Sequence, residues 1–410
     1  MKILVLSQYF WPENFRINDL VLALVERGME VDVLTGKPNY PEGKYYSGYG
    51  GFGCHQESWS GATIFRVPLI ARGSGGAVRL LLNYLSFIVA GLVFAPWILR
   101  RRKYDVIFVY GLSPILQAIP ALLLGRMKQC PVIISIQDLW PESLSATGYI
   151  RNKYVISVVR SVVRFIYRHA DLLLVQSRAF ESPVATLAPG KQIEYYPTSV
   201  EAVFYALPSK DVPAIPGLED GFSVVFAGNV GTAQAVETIL EAATKLREYS
   251  DIHFVVVGVG SRWEWLRQQV ETRKLTNLHL PGRYPVDTMP GLLAKADVLL
   301  VTLADNPIFA ATVPSKVQAY MAVGKPILAC LRGEGARLVV EAHAGLAVQA
   351  EDAGALADAV VQLFRMTPVE REEFGRNGRR YFEEHFDRDL LVDRLIGYFR
   401  SVLPSKGDDR

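Results

Sequence analysis

A lysine occupies an unusual position in the stretch formed by residues 313–328. The pair Pro314-Ser315 predicts the start of a helix, Gly324 ends it, and the chain then enters a strand. Lys316 therefore falls in the first helical turn, where the positive end of the helix dipole disfavours a cation. Pairing with the diphosphate of a nucleotide ligand would explain this position. An ordinary exposed lysine is the alternative.

A glycine-containing turn is the second candidate for anion binding. It lies between a predicted strand at residues 223–227 and a predicted helix around residues 236–246. Backbone N–H groups at the start of a helix bind phosphate well, and small residues let the ligand approach. Close packing of the strand on the helix is the alternative. The candidate phosphate-binding residues are Gly228, Asn229, Gly231 and Thr232.

A third group of polar residues follows the predicted strand at residues 132–136. Asp138 could accept a hydrogen bond from a sugar hydroxyl or position an attacking nucleophile, with Trp140 and Glu142 beside it. A cap on the following helix is the alternative interpretation.

The loop at residues 7–15 precedes the first predicted helix and carries polar residues of its own. Arg16 could hold a phosphate of a second substrate, with Glu13 and Asn14 in the same loop. Asn14 could instead cap the helix that starts near Arg16.

Strand and helix patterns alternate along most of the chain, which is typical of parallel sheets with crossover helices. A segment rich in Pro, Gly and charge at residues 206–221 interrupts this alternation and predicts a linker. We therefore expect an α/β protein of two Rossmann-like lobes, residues 1–205 and 206–389, followed by residues 390–410. Ligands of such sheets bind beyond the carboxyl ends of the strands, which favours an interdomain cleft. The predicted strands are residues 2–6, 30–34, 105–109, 132–136, 172–175, 193–196, 223–227, 253–257, 278–280, 298–301 and 327–330.

The composition excludes several classes of protein. A formal net charge of +3 is too small to indicate a nucleic-acid binder. The cysteines number three, lie far apart and lack the spacing of metal ligands, so we expect a reducing, cytoplasmic location and no metal. The apolar run at residues 3–6 is too short for the core of a signal peptide.

A long apolar segment precedes a basic cluster. Residues 80–99 contain no charged side chain, and Arg100, Arg101, Arg102 and Lys103 follow directly. The length would cross a hydrocarbon layer of about 30 Å. However, strands of one lobe precede and follow the segment, so a single crossing would divide one sheet between two sides of a membrane. A buried helix, a re-entrant hairpin kinked near Pro96 and an interfacial helix remain open; Trp97 and the basic cluster favour the interface.

A second segment, residues 151–169, predicts a basic amphipathic helix. Arg160, Arg164 and Arg168 recur at every fourth position and form one stripe, while Val and Ile occupy much of the remainder. Such helices bind anionic lipid surfaces. Together with residues 80–103, this segment predicts peripheral association with the inner face of the plasma membrane. A solvated face of an ordinary crossover helix is the alternative.

Longer stretches of the sequence resemble a known family. Residues 228–242, 280–303 and 314–328 (GNVGTAQAVETILEA, LPGRYPVDTMPGLLAKADVLLVTL and PSKVQAYMAVGKPIL) resemble the donor lobe of family 4 retaining glycosyltransferases. The subgroup that they resemble most contains bacterial L-fucosamine and colanic-acid transferases of surface-polysaccharide synthesis. Residues 7–36 and 136–148 resemble the acceptor lobe of the same subgroup.

This resemblance implies a GT-B fold with a nucleotide sugar on the C-terminal lobe and a lipid-linked glycan acceptor on the N-terminal lobe. It implies transfer with retention of configuration, no cofactor and no metal, and UDP rather than GDP as the nucleotide. A helix at residues 390–402 would pack on the first lobe. The residues that it implies for the donor, besides the glycine turn, are Arg283, Ser315, Lys316, Gly333, Glu334 and Gly335.

The sequence departs from the family at three places. Ala311 and Ala319 occupy the positions of the usual pair of glutamates, and the usual Arg and Lys are missing from the turn at residues 228–232. Gln137-Asp138 replaces the usual His-Asp, so Asp138 and Gln137 are the candidate catalytic residues.

Two other functions remain open at the level of the sequence. A GT-B sugar-nucleotide 2-epimerase would convert the donor without an acceptor and without lipid contact. A non-catalytic subunit of an assembly complex would bind a sugar nucleotide without turnover. The basic and apolar segments favour the transferase.

Overall fold

A computed structural model describes residues 1–73, 76–146, 152–205 and 214–404. The chain forms two compact units: the first comprises Met1–Pro197 and Asp389–Arg410, and the second comprises Thr198–Arg388. The second unit thus begins before residue 206, the predicted boundary. The reason is local, because Val200 is buried in the core of the second unit and Ser199 Oγ donates to the Phe386 carbonyl at 2.9 Å. Of the predicted linker, residues 206–213 lie outside the described residues.

The first unit is built on a sheet whose described strands lie in the order β3-β4-β2-β1-β5-β6-β7-β8. All neighbours pair in parallel except β3 and β4, which form an antiparallel hairpin. The strands are β1 (Lys2–Leu6), β2 (Glu30–Gly36), β3 (His55–Trp59), β4 (Ala62–Val67), β5 (Val106–Gly111), β6 (Val132–Ile136), β7 (Leu172–Val175) and β8 (Ile193–Tyr195). The helices are α1 (Arg16–Glu26), α2 (Ala77–Ile98), α3 (Ile119–Lys128), α4 (Glu142–Ala146), α5 (Lys153–His169) and α6 (Glu181–Leu187).

The second unit contains a parallel sheet with the described order β11-β10-β9-β12-β13-β14. Its strands are β9 (Phe222–Ala227), β10 (Ile252–Val257), β11 (Leu278–Gly282), β12 (Val298–Thr302), β13 (Ile327–Cys330) and β14 (Gly345–Val348). Its helices are α7 (Val236–Lys245), α8 (Trp263–Arg273), α9 (Met289–Lys295), α10 (Pro307–Ala311), α11 (Ser315–Val323), α12 (Glu334–Glu341), α13 (Ala353–Arg365) and α14 (Pro368–His385).

The last helix, α15 (Arg388–Ser401), belongs almost entirely to the first unit. Leu391, Leu395 and Phe399 are buried in the core formed by α1 and the central strands. Arg27 of α1 forms ion pairs with Asp389 at 2.9 Å and Asp393 at 2.6 Å. Apolar burial therefore holds α15 on the first sheet, and the ion pairs at its surface fix its register.

The structure confirms the predicted α/β fold and adds strands that the sequence pattern did not indicate. The strands β3 and β4 form a hairpin closed by Ser60 and Gly61, which both have positive φ. The sequence of β3 is polar because this edge strand is largely exposed, so its apolar pattern does not indicate a strand. The strand β14 is only four residues long and half-buried.

The apolar segment at residues 80–99 forms most of one helix, α2, rather than a re-entrant hairpin. Pro96 lies near the end of α2 and does not interrupt it. Among the described helices, α2 alone has the length and composition needed to cross a membrane. However, β4 before it and β5 after it belong to the same sheet. About a third of its apolar span is buried, so the helix is only partly covered by the rest of this chain.

The basic segment at residues 151–169 forms α5, except that Arg151 lies outside the described residues. The Asn152 side chain caps α5 by accepting hydrogen bonds from the N–H groups of Tyr154 and Val155. The helices α2 and α3 pack together, and α3 packs on α5. These three helices therefore form one layer of the first unit.

Candidate functional site

The candidate donor site lies at the carboxyl edge of the second sheet, where neighbouring strands end in glycines. Gly228 follows β9, Gly258 follows β10, and both have a φ of 137°. The Gly228 N–H donates to the Val257 carbonyl at 2.8 Å. A Cβ on Gly258 would lie 1.8 Å from the Gly228 carbonyl oxygen, so only glycine fits there. Gly228 is exposed, so the backbone at the end of β9 is accessible, whereas Gly258 is buried against it.

Lys316 lies directly over this edge. Its Nζ is 3.6 Å from the centre of the Phe226 ring, and a Cβ on Gly228 would lie 2.6 Å from its Cε. The Tyr320 hydroxyl, one turn later in α11, accepts a hydrogen bond from the Ala227 N–H at 3.1 Å and fixes the helix on the end of β9. The structure therefore brings together Lys316 and the glycine turn, which are far apart in the sequence.

The electrostatic state of Lys316 is unusual for a lysine. Within the described residues, its ammonium group makes no hydrogen bond or ion pair. Burial lowers the pKa of Lys316 to about 7, because the charged form loses its hydration. An anionic ligand at this position would restore the charged form.

A second turn, Gly333-Glu334-Gly335, packs against the segment that precedes α11. A Cβ on Gly333, which has a φ of 79°, would lie 1.9 Å from the Ala310 carbonyl oxygen. A Cβ on Gly335 would lie 2.8 Å from Pro314 Cδ. The Glu334 carboxylate accepts hydrogen bonds at 3.0 and 2.9 Å from the Arg337 guanidinium of the same helix. The side chain of Glu334 is thus paired within α12, and the turn stays a predicted part of the donor site.

The turn at residues 228–232 differs from the sequence expectation in one respect. It does not open directly into a helix, because a 3-10 turn (Thr232–Gln234) and Ala235, with a φ of 45°, precede α7. Asn229 donates to the Gln234 side chain at 3.1 Å. The first turn of α7 carries Glu237, which pairs with Arg262 at 2.5 Å. The start of α7 is therefore a poor anion site, and the start of α11 is the better one.

Two more predicted donor residues are exposed near this edge. Ser315 is the first residue of α11, and Arg283 follows β11 without an ion pair in the described part of the chain. The sequence prediction omitted Gly260, where a Cβ would lie 2.3 Å from the Val230 carbonyl oxygen. The signal was present, because Gly258 and Gly260 form a Gly-x-Gly turn after a strand.

In the first unit, Asp138 follows β6 and is held by a short chain of hydrogen bonds. Ser113, after β5, donates from Oγ to Asp138 Oδ2 at 2.7 Å. Trp140 donates from Nε1 to Ser113 Oγ at 2.9 Å. Desolvation raises the pKa of Asp138, and its Oδ1 has no hydrogen bond within the described residues. The Asp138 side chain therefore has a fixed orientation, and its Oδ1 can still accept a hydrogen bond from a ligand.

Neighbouring residues proposed for the same site have internal partners. Trp140 is buried, so it positions Ser113 instead of contacting an acceptor as expected. Gln137 donates from Nε2 to Ser135 Oγ at 2.8 Å. Glu142 forms an ion pair with Arg160 at 3.3 Å. Of this group, Asp138 combines partial burial, a pKa raised by desolvation and a carboxylate oxygen without a hydrogen bond among the described residues.

Glu13 has a structural role, which corrects its assignment to the acceptor. Its carboxylate is buried and accepts hydrogen bonds from the N–H groups of Asn39 and Tyr40, both at 2.7 Å, and of Phe10 at 3.3 Å. Burial raises the pKa of Glu13 to about 7 in spite of these bonds. Glu13 therefore ties the loop after β1 to the loop after β2.

The other two residues of this loop differ from each other. Asn14 is exposed and does not cap α1, because the N-cap residue is Phe15 and no side chain caps the helix. Arg16 is the half-buried first residue of α1 and already interacts within the protein.

As for metals, no group of three or more His, Cys, Asp or Glu suited to an ion occurs among the described residues.

Known proteins resemble the chain over both units. A family model described as "Glycosyl transferase 4-like domain" matches residues 14–197, and one described as "Glycosyl transferases group 1" matches residues 221–366. The "Putative colanic acid biosynthesis glycosyl transferase WcaI" of Escherichia coli (strain K12) is 27% identical over 342 residues, covering 79% of this chain and 82% of that protein. The "Probable glycosyltransferase WbjE" of Pseudomonas aeruginosa is 25% identical over 332 residues, with the same coverage.

Solved structures share the fold at low sequence identity. Sucrose-phosphate synthase from Thermosynechococcus elongatus has a TM-score of 0.74 and 17% identity, over 98% of both chains. Anabaena Alr3699/HepE in complex with UDP has a TM-score of 0.69 and 15% identity, over 98% of this chain and 100% of that one. The fold is that of the GT-B glycosyltransferases. The chain belongs to the family of group 1 glycosyltransferases with a 4-like N-terminal domain, within the family 4 surface-polysaccharide transferases.

Proposed function

We propose that this glycosyltransferase moves a sugar from a nucleoside-diphosphate donor to a lipid-linked glycan at the inner face of a bacterial membrane. The reaction would proceed with retention of configuration in the synthesis of a surface polysaccharide such as an O antigen. The relatives named for colanic-acid biosynthesis, and another named for the O-antigen chain, support this role. UDP is the preferred nucleotide to test, because the titles of structural neighbours name UDP and UDP-2-fluoro glucose. L-fucosamine is the first amino sugar to test.

The observation that carries the donor half of the proposal is the unpaired Lys316 beside Gly228. Its position at the start of α11 adds a positive side chain to the positive end of the helix dipole. This combination is unfavourable in the free protein and favourable with a diphosphate bound. Gly228 is exposed and, because it lacks a Cβ, leaves room for the Lys316 side chain, so a ligand that reaches the lysine also meets the backbone of this turn. Electrostatic stabilisation of the leaving diphosphate is the chemistry that such a site supplies.

On the first unit, Asp138 is the residue best suited to orient the acceptor. Its Oδ2 is occupied by Ser113, and Oδ1 is left to accept a hydrogen bond from the attacking sugar hydroxyl. The raised pKa of Asp138 makes the carboxylate a better proton acceptor.

The exposed face of α2 supports a membrane location. Its apolar side chains recur every three or four residues and form one continuous stripe along the helix, from Val78, 74% exposed, to Trp97, 64% exposed. Its polar Asn83 instead faces the interior, where it donates to the Ile70 carbonyl at 2.6 Å. Large exposed apolar stripes on soluble proteins mark interaction surfaces. The members of the stripe are Val78, Leu81, Leu82, Leu85, Val89, Val93, Phe94 and Trp97.

Basic residues flank this stripe in the manner of an interfacial helix. Arg100 stacks on Trp97, with its guanidinium carbon 4.6 Å from the ring. In the same helix layer, α5 exposes Arg164 and Arg168 together with Tyr154 and Val158. Arg160 contributes less free charge than expected because it is paired with Glu142. An anionic lipid surface complements this combination of apolar and basic side chains.

Thermal unfolding with UDP, GDP and their sugar conjugates tests the donor half. A ligand at one hundred times its dissociation constant adds about 2.7 kcal/mol of stability. We expect stabilisation by a UDP-sugar and transfer of labelled sugar to lipid-linked glycan. Conversion of the donor in the absence of any acceptor would indicate an epimerase instead. Failure of every nucleotide to stabilise the protein would contradict the proposal.

Flotation with anionic vesicles tests the membrane half. Replacing Arg100, Arg101, Arg102 and Lys103 with Gln should weaken binding, since each basic residue near such a surface contributes about 1 kcal/mol. Added salt should weaken binding by the wild type in the same way. The same variant should keep its donor affinity, which resides in the second unit. If the wild type remains unbound at low salt, α2 is not a membrane surface.

A further inference from the structure

The loops after three neighbouring strands of the first sheet bring together an arginine and two tyrosines. Tyr9 follows β1, Tyr40 follows β2 and Arg72 follows β4, and these strands are adjacent in the order β4-β2-β1. Because the strands are parallel, their carboxyl ends lie at the same edge of the sheet, where open α/β sheets bind ligands.

The side chain of Arg72 is held by these tyrosines. The guanidinium carbon lies 5.1 Å from the centre of the Tyr40 ring and 5.8 Å from that of Tyr9. The Arg72 N–H donates to Asn39 Oδ1 at 3.0 Å, which fixes the backbone as well. Phe15 stacks on Tyr9, with the ring centres 5.2 Å apart. Arg72 is therefore a preorganised cation.

Arg72 has no carboxylate partner among the described residues, unlike two other arginines of this unit. Arg66, at the end of β4, pairs with Glu57 at 2.5 Å, and Arg27 pairs with two aspartates. Neither Arg72 nor Arg79 forms an ion pair within the described residues. Arg79 donates from Nε to the Ala71 carbonyl at 3.3 Å, so it lies over the same loop.

The position of this loop links it to the proposed membrane surface. The helix α2 begins at Ala77, five residues after Arg72, and its first turn contains no acidic residue. A membrane that covered the apolar stripe of α2 would bring lipid phosphates to the amino end of that helix. The planar fork of an arginine binds phosphate oxygens in pairs, which lysine does not reproduce.

We propose that Arg72, with Arg79 beside it, binds a phosphate group carried by a membrane lipid. This inference rests on the membrane half of the proposed function. The diphosphate of the lipid-linked acceptor and the headgroup of an anionic phospholipid share the required chemistry. Arg16, the sequence-based candidate for an acceptor phosphate, is less suitable because it already has a partner within the protein.

Flotation with two kinds of vesicle separates the sources of phosphate. One set contains neutral phosphatidylcholine with a small fraction of polyprenyl diphosphate, and the other contains phosphatidylcholine with phosphatidylglycerol. We expect Arg72→Gln to lower affinity for the diphosphate vesicles about tenfold or more, the effect of losing hydrogen bonds to a charged group. Arg72→Lys keeps the charge without the fork and should recover only part of that loss. A selective loss on phosphatidylglycerol vesicles would assign the site to a phospholipid headgroup.

Two controls make the result decisive. Arg126→Gln removes the same charge from an exposed position on α3 and measures the general electrostatic effect. Stabilisation by UDP-sugar, measured on every variant, reports the integrity of the protein. If wild type binds the diphosphate vesicles and Arg72→Gln binds them no worse than Arg126→Gln, the phosphate site is wrong. If wild type binds neither kind of vesicle, the membrane half of the proposed function fails first.

Discussion

The carboxyl edges of the two sheets differ in composition: glycines end the strands of one, and polar side chains cover the other. In the second unit, Gly228, Gly258 and Gly282 end three neighbouring strands, and the backbone of one contacts the backbone of the next. In the first unit, side chains with hydrogen bonds fill the corresponding edge. The Glu13 carboxylate accepts hydrogen bonds from backbone N–H groups, and the Asp138 carboxylate accepts one from the Ser113 hydroxyl. A glycine edge suits a small rigid anion that approaches backbone. An edge of side chains suits a larger acceptor whose hydroxyls and phosphates need individual partners.

The two cations at these edges differ in a related way. Lys316 lies on Phe226 beside glycine, and burial lowers its pKa to about 7. Arg72 instead lies beside the rings of Tyr40 and Tyr9, which hold its guanidinium in place. Ligand binding at Lys316 is therefore linked to pH.

The largest expected effect tests whether chemistry depends on the first edge. Asp138→Asn should lower kcat about 10²- to 10⁴-fold, the usual contribution of a positioned proton acceptor. Donor affinity should remain unchanged, because the proposed donor site lies in the second unit. Steady-state transfer with a separate donor-binding measurement checks both statements, and Asp358→Asn, an exposed carboxylate of α13, is the control. Full activity in Asp138→Asn would remove Asp138 from the reaction.

The next effect tests the glycine edge. Lys316→Met should weaken nucleotide-sugar binding by about 1.5–3 kcal/mol, the range for hydrogen bonds to a charged group. Calorimetric titration measures the change. Lys325→Met, just beyond the carboxyl end of the same helix, removes an equal charge and should leave the affinity as it is. Equal affinities in the two variants would relocate the donor site.

A smaller effect concerns pH. In the free protein, Lys316 loses its proton above about pH 7, and a bound diphosphate raises its pKa again. Binding of a UDP-sugar therefore takes up a proton above pH 7, and affinity should fall as pH rises, by at most about tenfold per pH unit. Titrations at pH 6.5, 7.5 and 8.5 (about one unit apart) measure this slope. Lys316→Met should show none; an identical slope in both proteins would assign the proton to another group.

The smallest effect concerns Glu13. Its pKa in the folded protein, about 7, exceeds its ordinary value, so folding favours the protonated carboxyl. The stability that this group contributes is present below pH 4.5 and is lost as pH rises to about 7. Glutamine has no proton to lose, so Glu13→Gln does not lose this stability as pH rises. The melting temperature of the variant minus that of the wild type should therefore be larger at pH 8 than at pH 5. A constant difference across this range would mean that Glu13 is charged throughout.

Local sequence pattern predicted much of the architecture, for identifiable reasons. The strand β7 is a continuous apolar run, and β6 is apolar except for Ser135, because both faces of a parallel sheet are buried. The strand β3 escaped detection because it is an exposed edge, where burial imposes no apolar alternation. The strand β14 is half-buried and contains Gly345 and Ala347, so it lacks the run of large apolar side chains that indicated β7.

The sequence by itself predicted that Lys316 lies in the first turn of a helix, where the helix dipole disfavours a cation. This prediction needs only a few neighbouring residues. The sequence also determined the α/β fold, since apolar periodicity acts locally. Only the tertiary structure decided that Glu13 and Trp140 face inward and that Arg72 lies between Tyr9 and Tyr40. These positions depend on which strands are neighbours in the sheet, and on the absence of a carboxylate beside Arg72 among the described residues. Strand order is set by packing between distant segments, and no local pattern records it.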